Sequence, residues 1–254
     1  AANDIIGRHL DELLVPESPG EANGQSQQGG ETSRAEPPTV EVQLRCKDGS
    51  HLWMEILSTP ERDAAGRSVG YRRIGRNITE RREMQDRVRE LAFHDPLTGL
   101  PNRRLLGDRL GLAMAQSKRS GTYGAVLFLD LDNFKPLNDQ HGHDVGDLLL
   151  IEVADRLKGC VREMDTVARF GGDEFAAILF RVGEPENVSA VAEKLIAAIA
   201  PPFPTRPIPS HVGLSIGMTV MPGDSDDPET LVRWSDMAMY EAKSQGKNRA
   251  QFFS

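Results

Sequence analysis

Apolar and polar residues alternate along residues 40–57. In "VEVQLRC", Val40, Val42, Leu44 and Cys46 fall on one face, and "HLWMEIL" alternates again after the turn "KDGS". A period of two puts successive side chains on opposite sides of a strand, so a β-hairpin is predicted. A second turn, "RDAAGRS", precedes another short strand, "VGYRRIGR". From Thr79 the period lengthens. In "TERREMQDRVRELAFHD", Met84, Val88 and Leu91 are spaced by four and three among charged residues. That is an amphipathic helix, either a short coiled-coil seam or a helix packed on its own domain.

After the turn-rich "HDPLTGLPNRR" the pattern alternates between strands and helices. "YGAVLFLDLD" reads as a buried strand, and 133–141 and 144–160 as helices. Residues 165–170 and 174–181 read as a hairpin, 186–199 as a helix and "HVGLSIGMTV" as a strand. Residues 228–245 are helical and "RAQFF" is a last strand. Strands mixed with helices of this length indicate an α/β or α+β domain around one sheet. Residues 17–38, rich in Gly, Pro, Gln, Ser and Glu, cannot bury enough apolar surface to offset ordering entropy and are expected to be a mobile loop.

Composition narrows the function classes. The chain has 254 residues, room for one or two domains, and a net charge of −8, which argues against general nucleic-acid binding. The two cysteines match no metal spacing and are expected to be reduced thiols of a cytosolic protein. No apolar run approaches the ~18 residues of a membrane span, and no signal peptide is recognisable. The abrupt start at "AANDIIGRHL" reads as that of an excised fragment.

Two acidic clusters carry the chemistry. "RFGGDEF" predicts a tight turn at Gly171-Gly172 between apolar strands, because glycine tolerates positive φ. The turn lifts Asp173 and Glu174 to a sheet edge, where alternation predicts different partners for them. The buried strand "FLDLD" ends in Asp130-Leu131-Asp132. Carboxylates at the end of an apolar strand are costly unless solvated, paired or bound to metal. Two such clusters can converge on Mg²⁺, which takes few protein carboxylates and leaves positions for phosphate oxygens. Neither Walker A nor G-x-G-x-x-G is present. "NFKPLND" opens a helix whose free N–H groups would face an anion, with Lys135 in its first turn. Lys243 and Lys247, near the end of the last long helix, equally suit a lysine-complemented helix terminus closed by Gly246.

Four motifs in order, "HDPLTGLPNRR", "DLDNFKPLNDQHGHDVGD", "RFGGDEF" and "YEAKSQGKNR", make residues 91–254 resemble a GGDEF domain, the catalytic module of diguanylate cyclases. The resemblance implies a mostly antiparallel central sheet flanked by helices. It implies condensation of two GTP molecules to cyclic di-GMP and two pyrophosphates, with Mg²⁺ or Mn²⁺ as cofactor. By that resemblance Asp130, the carbonyl of Leu131, Asp173 and Glu174 are metal ligands, and Asp173, Glu174 and Lys135 are catalytic. Asn138 and Asp147 read the guanine, with His143 between them. Phe134, Lys135, Lys243 and Lys247 cradle the phosphates. Arg162 and Asp165 have the spacing of the family's inhibitory product site, with Lys194 as a secondary basic contact. Since one domain holds one GTP, turnover requires a homodimer.

"KDGSHLWMEILSTPERDAAGRSVGYRRIGRNITERR" resembles the second half of a PAS sensor domain. The expected organisation is a partial PAS-like segment over 1–79, a signalling helix over 80–93 and the GGDEF domain over 94–254. Two other functions stay open. One is a catalytically silent GTP- or cyclic-di-GMP-binding module of a GGDEF-EAL phosphodiesterase, and the other is a dimerising relay fragment. The expected location is the cytoplasm, with no nucleic acid or membrane as partner.

Overall fold

Strand alternation does build an N-terminal sheet, in a computed structural model that describes residues 39–46, 48–203 and 211–254. The loop expected at 17–38 lies outside the described residues. The chain divides into two compact units, residues 1–89 and 90–254.

In the first unit, β1 (Thr39–Arg45), β2 (His51–Arg62) and β3 (Ser68–Asn77) form an antiparallel meander. Val42 pairs with Met54 and Val40 with Ile56, and Val42 and Ile56 are buried. Asp48 and Asp63 shape the two turns by accepting backbone N–H bonds from Ser50 and from Ala65 and Arg67. β2 runs past the predicted strand, through Pro60. Among the described residues β1 covers it only as far as Leu57, so the missing N–H of Pro60 interrupts no ladder. Helix α1 (Thr79–Phe93) follows. Arg82 pairs with Glu41 and lies 3.9 Å over the Trp53 ring. Met84, Val88 and Leu91 are 60%, 66% and 59% exposed, so the apolar stripe of α1 is largely uncovered among the described residues.

The second unit holds a five-stranded sheet of order β5-β6-β4-β7-β8. Its strands are β4 (Tyr123–Asp132), β5 (Thr166–Gly171), β6 (Glu174–Gly183), β7 (Gly213–Met221) and β8 (Ala250–Phe252). All pairs are antiparallel except β7 with β8. The central β4 is buried from Gly124 to Asp132, which explains its unbroken apolar run. Leu127, Leu129 and Leu131 join the core beneath α3 (Phe134–His141), α4 (His143–Cys160) and α5 (Glu186–Ile199). Val126 and Phe128 face α2 (Arg103–Ser120) and α6 (Pro228–Ser244).

The pattern reading assigns no element to 103–120, where α2 lies. Its signal is present, with Leu106, Leu110, Ala113, Met114 and Ser117 on one buried stripe. Asn102 caps it by accepting from the amides of Arg104 and Leu105, and Gly121 ends it at φ 65°.

α6 lies directly on β7 at Gly217. A Cβ there would overlap the carbonyl oxygen of Ser235 and the amide nitrogen of Met239, both backbone atoms that cannot swing away. Gly217→Ala is therefore expected to cost about 2 kcal/mol or more by forcing α6 off the sheet. A denaturant titration with an unchanged midpoint would contradict this packing.

Candidate active site

The β4–β6 register sets Asp130 directly opposite Glu174, with Ser215 of β7 on the other flank of Asp130. The hairpin differs from expectation by one residue. Gly171 pairs with Glu174, so the two turn residues are Gly172 and Asp173. Gly171 and Gly172 adopt φ 150° and 56°, conformations that only glycine reaches cheaply. Because Asp173 sits in the turn, strand alternation does not separate it from Glu174. Asp173 repels Asp130, and Asp130 in turn repels Glu174. The amide of Leu131 donates to the carbonyl of Asp173 at 3.3 Å, tying the turn to the end of β4. The Leu131 side chain is in the core, so only its main chain can serve the site.

Asp130 is only 6% exposed, and the Lys243 ammonium from α6 lies 2.7 Å from its Oδ1. Burial pushes the Asp130 carboxyl above its ordinary range, against the hydrogen bond from Lys243, and Asp173 adds to the rise. Burial also raises Glu174, with repulsion from Asp130, Asp236 and Asp173. A cleft of about 690 Å³ opens beside Glu174, with Asp236, Arg103, Arg233 and Phe170 among its walls. The donors Asp130, Asp173, Glu174 and the Leu131 carbonyl are all hard oxygens, the chemistry Mg²⁺ prefers. Among the described residues no three His, Cys, Asp or Glu side chains already form a metal cluster.

Basic groups and free amides gather next to this edge. Asn133 is left-handed (φ 62°) and offers α3 no side-chain cap. Its Oδ1 instead accepts from Lys247 Nζ at 2.8 Å. The first-turn amides of α3 are thus left to another acceptor. Lys135 is exposed in that turn, whereas the Phe134 side chain is buried in the core. α6 ends at Ser244, so Lys247 lies beyond the helix, in a left-handed turn rather than on a shared helical face with Lys243.

Behind α3, Asn138 Nδ2 donates to His143 Nδ1 across 3.2 Å. Its Oδ1 is buried without a hydrogen-bond partner. A Cβ on Gly146 would run into that oxygen, so the glycine keeps the Asn138 amide in place. Asp147 is the next residue, exposed on α4.

Arg162 and Asp165 lie in the connection from α4 to β5, close together but far from this cluster. Asp165 Oδ2 accepts from the Arg162 amide at 3.0 Å, and Oδ1 from the Phe180 amide at 2.9 Å. Phe180 is six residues along β6 from Glu174, or about 20 Å. A cavity of about 480 Å³ is lined there by Arg162, Asp165, Asn187 and Lys194 among others. Lys194 donates to the Cys160 carbonyl at 2.7 Å.

Sequence reasoning missed the clasp beneath the hairpin. Arg169 Nη1 pairs with Asp95 at 3.0 Å, while its Nε and Nη2 donate to the Gly172 carbonyl at 3.1 and 2.8 Å. Burial would raise the Asp95 carboxyl, but hydrogen bonds from Thr98 and Arg169 hold it below the ordinary range. The signal was the arginine two residues before the glycines and the aspartate of "HDPLTG". Arg169→Ala is expected to cost about 2 kcal/mol, the scale of hydrogen bonds to a charged group, because the pair is partly buried. It should also speed amide exchange at Asp173 and Glu174. Unchanged exchange there would mean that the turn holds its shape without the arginine.

The comparisons with known proteins agree with this geometry. A family model described as "Diguanylate cyclase, GGDEF domain" matches residues 92–249. The bifunctional diguanylate cyclase/cyclic di-GMP phosphodiesterase MucR of Pseudomonas aeruginosa is 48% identical over 164 residues, 65% of this chain and 24% of MucR. This chain thus spans about a quarter of that relative's length. The solved GGDEF domain of TpbB (YfiN) from Pseudomonas aeruginosa superposes with a TM-score of 0.62 at 38% identity, covering 63% of this chain and 94% of that one. The GGDEF domain of DgcB from Caulobacter crescentus, solved with c-di-GMP, gives a TM-score of 0.59 at 30% identity, covering 64% of this chain and 94% of that one. With its motifs, its sheet and its residues 92–249 all in agreement, this chain belongs to the GGDEF domain family.

Proposed function

We propose that the chain is the catalytic part of a diguanylate cyclase, joining two GTP molecules into cyclic di-GMP with release of two pyrophosphates. The observation that carries this reading is the meeting of Asp130 with Asp173 and Glu174 beside Lys243. The guanine lies against Asn138 and Asp147, whose amide and carboxylate types suit its donor and acceptor edge. His143 holds the nitrogen end of that amide. Amides of the first turn of α3, at Phe134 and Lys135, receive the phosphates together with Lys135, Lys243 and Lys247. Lysine at 247 binds there as a point charge, without the fork of an arginine.

Asp130, the Leu131 carbonyl, Asp173 and Glu174 would hold Mg²⁺ or Mn²⁺, which when bound would polarise the α-phosphate and lower the pKa of the attacking hydroxyl. Asp173 accepts the proton of the ribose 3′-hydroxyl as its oxygen bonds to the α-phosphorus of the other GTP. The bond to pyrophosphate breaks, and the lysines take up the leaving charge. Two domains must face each other for this, and the exposed Met84, Val88 and Leu91 stripe supports pairing through α1. The N-terminal meander is read as a partial PAS-like sensor, and the protein is read as cytoplasmic, where its proposed substrate GTP is found. Among the described residues no helix is long and apolar enough to cross a membrane. Arg162 and Asp165 are read as a product-inhibition site.

Incubation with GTP and Mg²⁺ is expected to yield cyclic di-GMP, and Asp173→Ala to lower the rate at least ~100-fold, the scale of a lost general base. GTP binding without product at high protein concentration would instead favour a silent regulatory module. Arg162→Ala is expected to weaken cyclic di-GMP binding about tenfold or more, the scale of a lost charged hydrogen bond, with GTP affinity intact. Equal product affinity in the two proteins would exclude the second site.

A further inference from the structure

Asp132 ends β4 at 3% exposure, yet no lysine or arginine pairs with it among the described residues. Its partners are neutral. Ser215 Oγ donates to Oδ1 and Oδ2 at 2.8 and 3.1 Å, and the backbone amide of Asn248 donates to Oδ2 at 2.9 Å. Gly213, opposite in register, leaves the space, since a Cβ there would lie 2.8 Å from Asp132 Oδ2 and 3.3 Å from Asn248 Oδ1.

The Asn248 amide belongs to a strained turn. Lys247 and Asn248 are consecutive non-glycine residues at φ 64° and 49°. Such conformations persist only where surroundings over-determine them. Two restraints act on Asn248: Asp132 accepts its N–H, and its Oδ1 accepts from the Leu214 amide at 3.3 Å. The turn they fix carries Lys247 Nζ to Asn133 Oδ1, at the start of α3. A buried carboxylate held by an amide is a stronger acceptor than a neutral group in its place.

We propose that Asp132 is a positioning residue for triphosphate binding. Its carboxylate holds the Lys247–Asn248 turn in its left-handed form and so holds the Lys247 ammonium over the phosphate cradle. The inference rests on the reading of this edge as a GTP site.

The test compares the affinities of 3′-deoxy-GTP and 3′-deoxyguanosine, which cannot be condensed, by calorimetry with Mg²⁺. The quantity read is the advantage given by the triphosphate. Lys247→Ala and Asp132→Ala are each expected to reduce it about tenfold, with nucleoside affinity unchanged. The double variant is expected to lose no more than either alone, because both remove one device. Asp132→Asn retains an oxygen for the Asn248 amide and is expected to recover most of the advantage, which also serves if the alanine variant does not fold. Amide exchange at Asn248 is expected to rise at least tenfold in Asp132→Ala. Additive losses, or an unchanged advantage and unchanged Asn248 exchange in folded Asp132 variants, would overturn the inference. A wild-type chain that binds the triphosphate no better than the nucleoside would overturn the reading of the site, and this role with it. The Asn248 exchange would still report whether Asp132 holds the turn.

Discussion

The register between β4 and β6 is the constraint on which the site depends. It places Asp130 and Glu174 as directly opposed neighbours at the end of an otherwise apolar sheet. A slip of one residue would turn the whole apolar run of β4 over and carry Asp130 to the other face. The core forbids that slip, because Leu127, Leu129 and Leu131 fill one side while Val126 and Phe128 fill the other. The packing energy of two cores thus maintains an arrangement that electrostatics alone opposes.

That opposition is only partly relieved within the chain. Lys243 neutralises one carboxylate, yet Asp130 and Glu174 both remain harder to ionise than free carboxyls. Residual negative charge in a half-closed edge, next to uncapped helix amides and lysines, suits a cation and a polyanion arriving together. The three aspartates of this edge play different parts. Asp130 faces Glu174, Asp173 rides the turn, and Asp132 accepts from Ser215 and the Asn248 amide. The Arg169–Asp95 clasp and the Asp132-held turn restrain the two loops that frame the edge.

The elements were largely legible because their apolar periods are strong. The buried run of β4 and the glycines before Asp173 brought the two acidic clusters together on paper as they are in space. Helix α2 escaped although its buried stripe is regular, because the turn-rich segment before it masked the Asn102 cap. The turn was misplaced by one residue, since two adjacent glycines invite a turn at both and only the pairing of Gly171 with Glu174 decides. Arg169 and Asp132 act through contacts distant in sequence, with Asp95 and Asn248, and although each residue stands in a recognisable motif, nothing local shows which partner it meets. Lys247 reads as part of a helix end, and its reach to Asn133 depends on backbone angles that sequence does not display.

The most direct test of the central claim is a titration of the carboxyl carbons of Asp130 and Glu174 by NMR, without and with Mn²⁺ plus 3′-deoxy-GTP. Without the ion both are expected to titrate above the ordinary carboxylate range, and with it both resonances should broaden selectively at substoichiometric Mn²⁺. Ordinary titration of both groups, or broadening that spares them, would contradict the account.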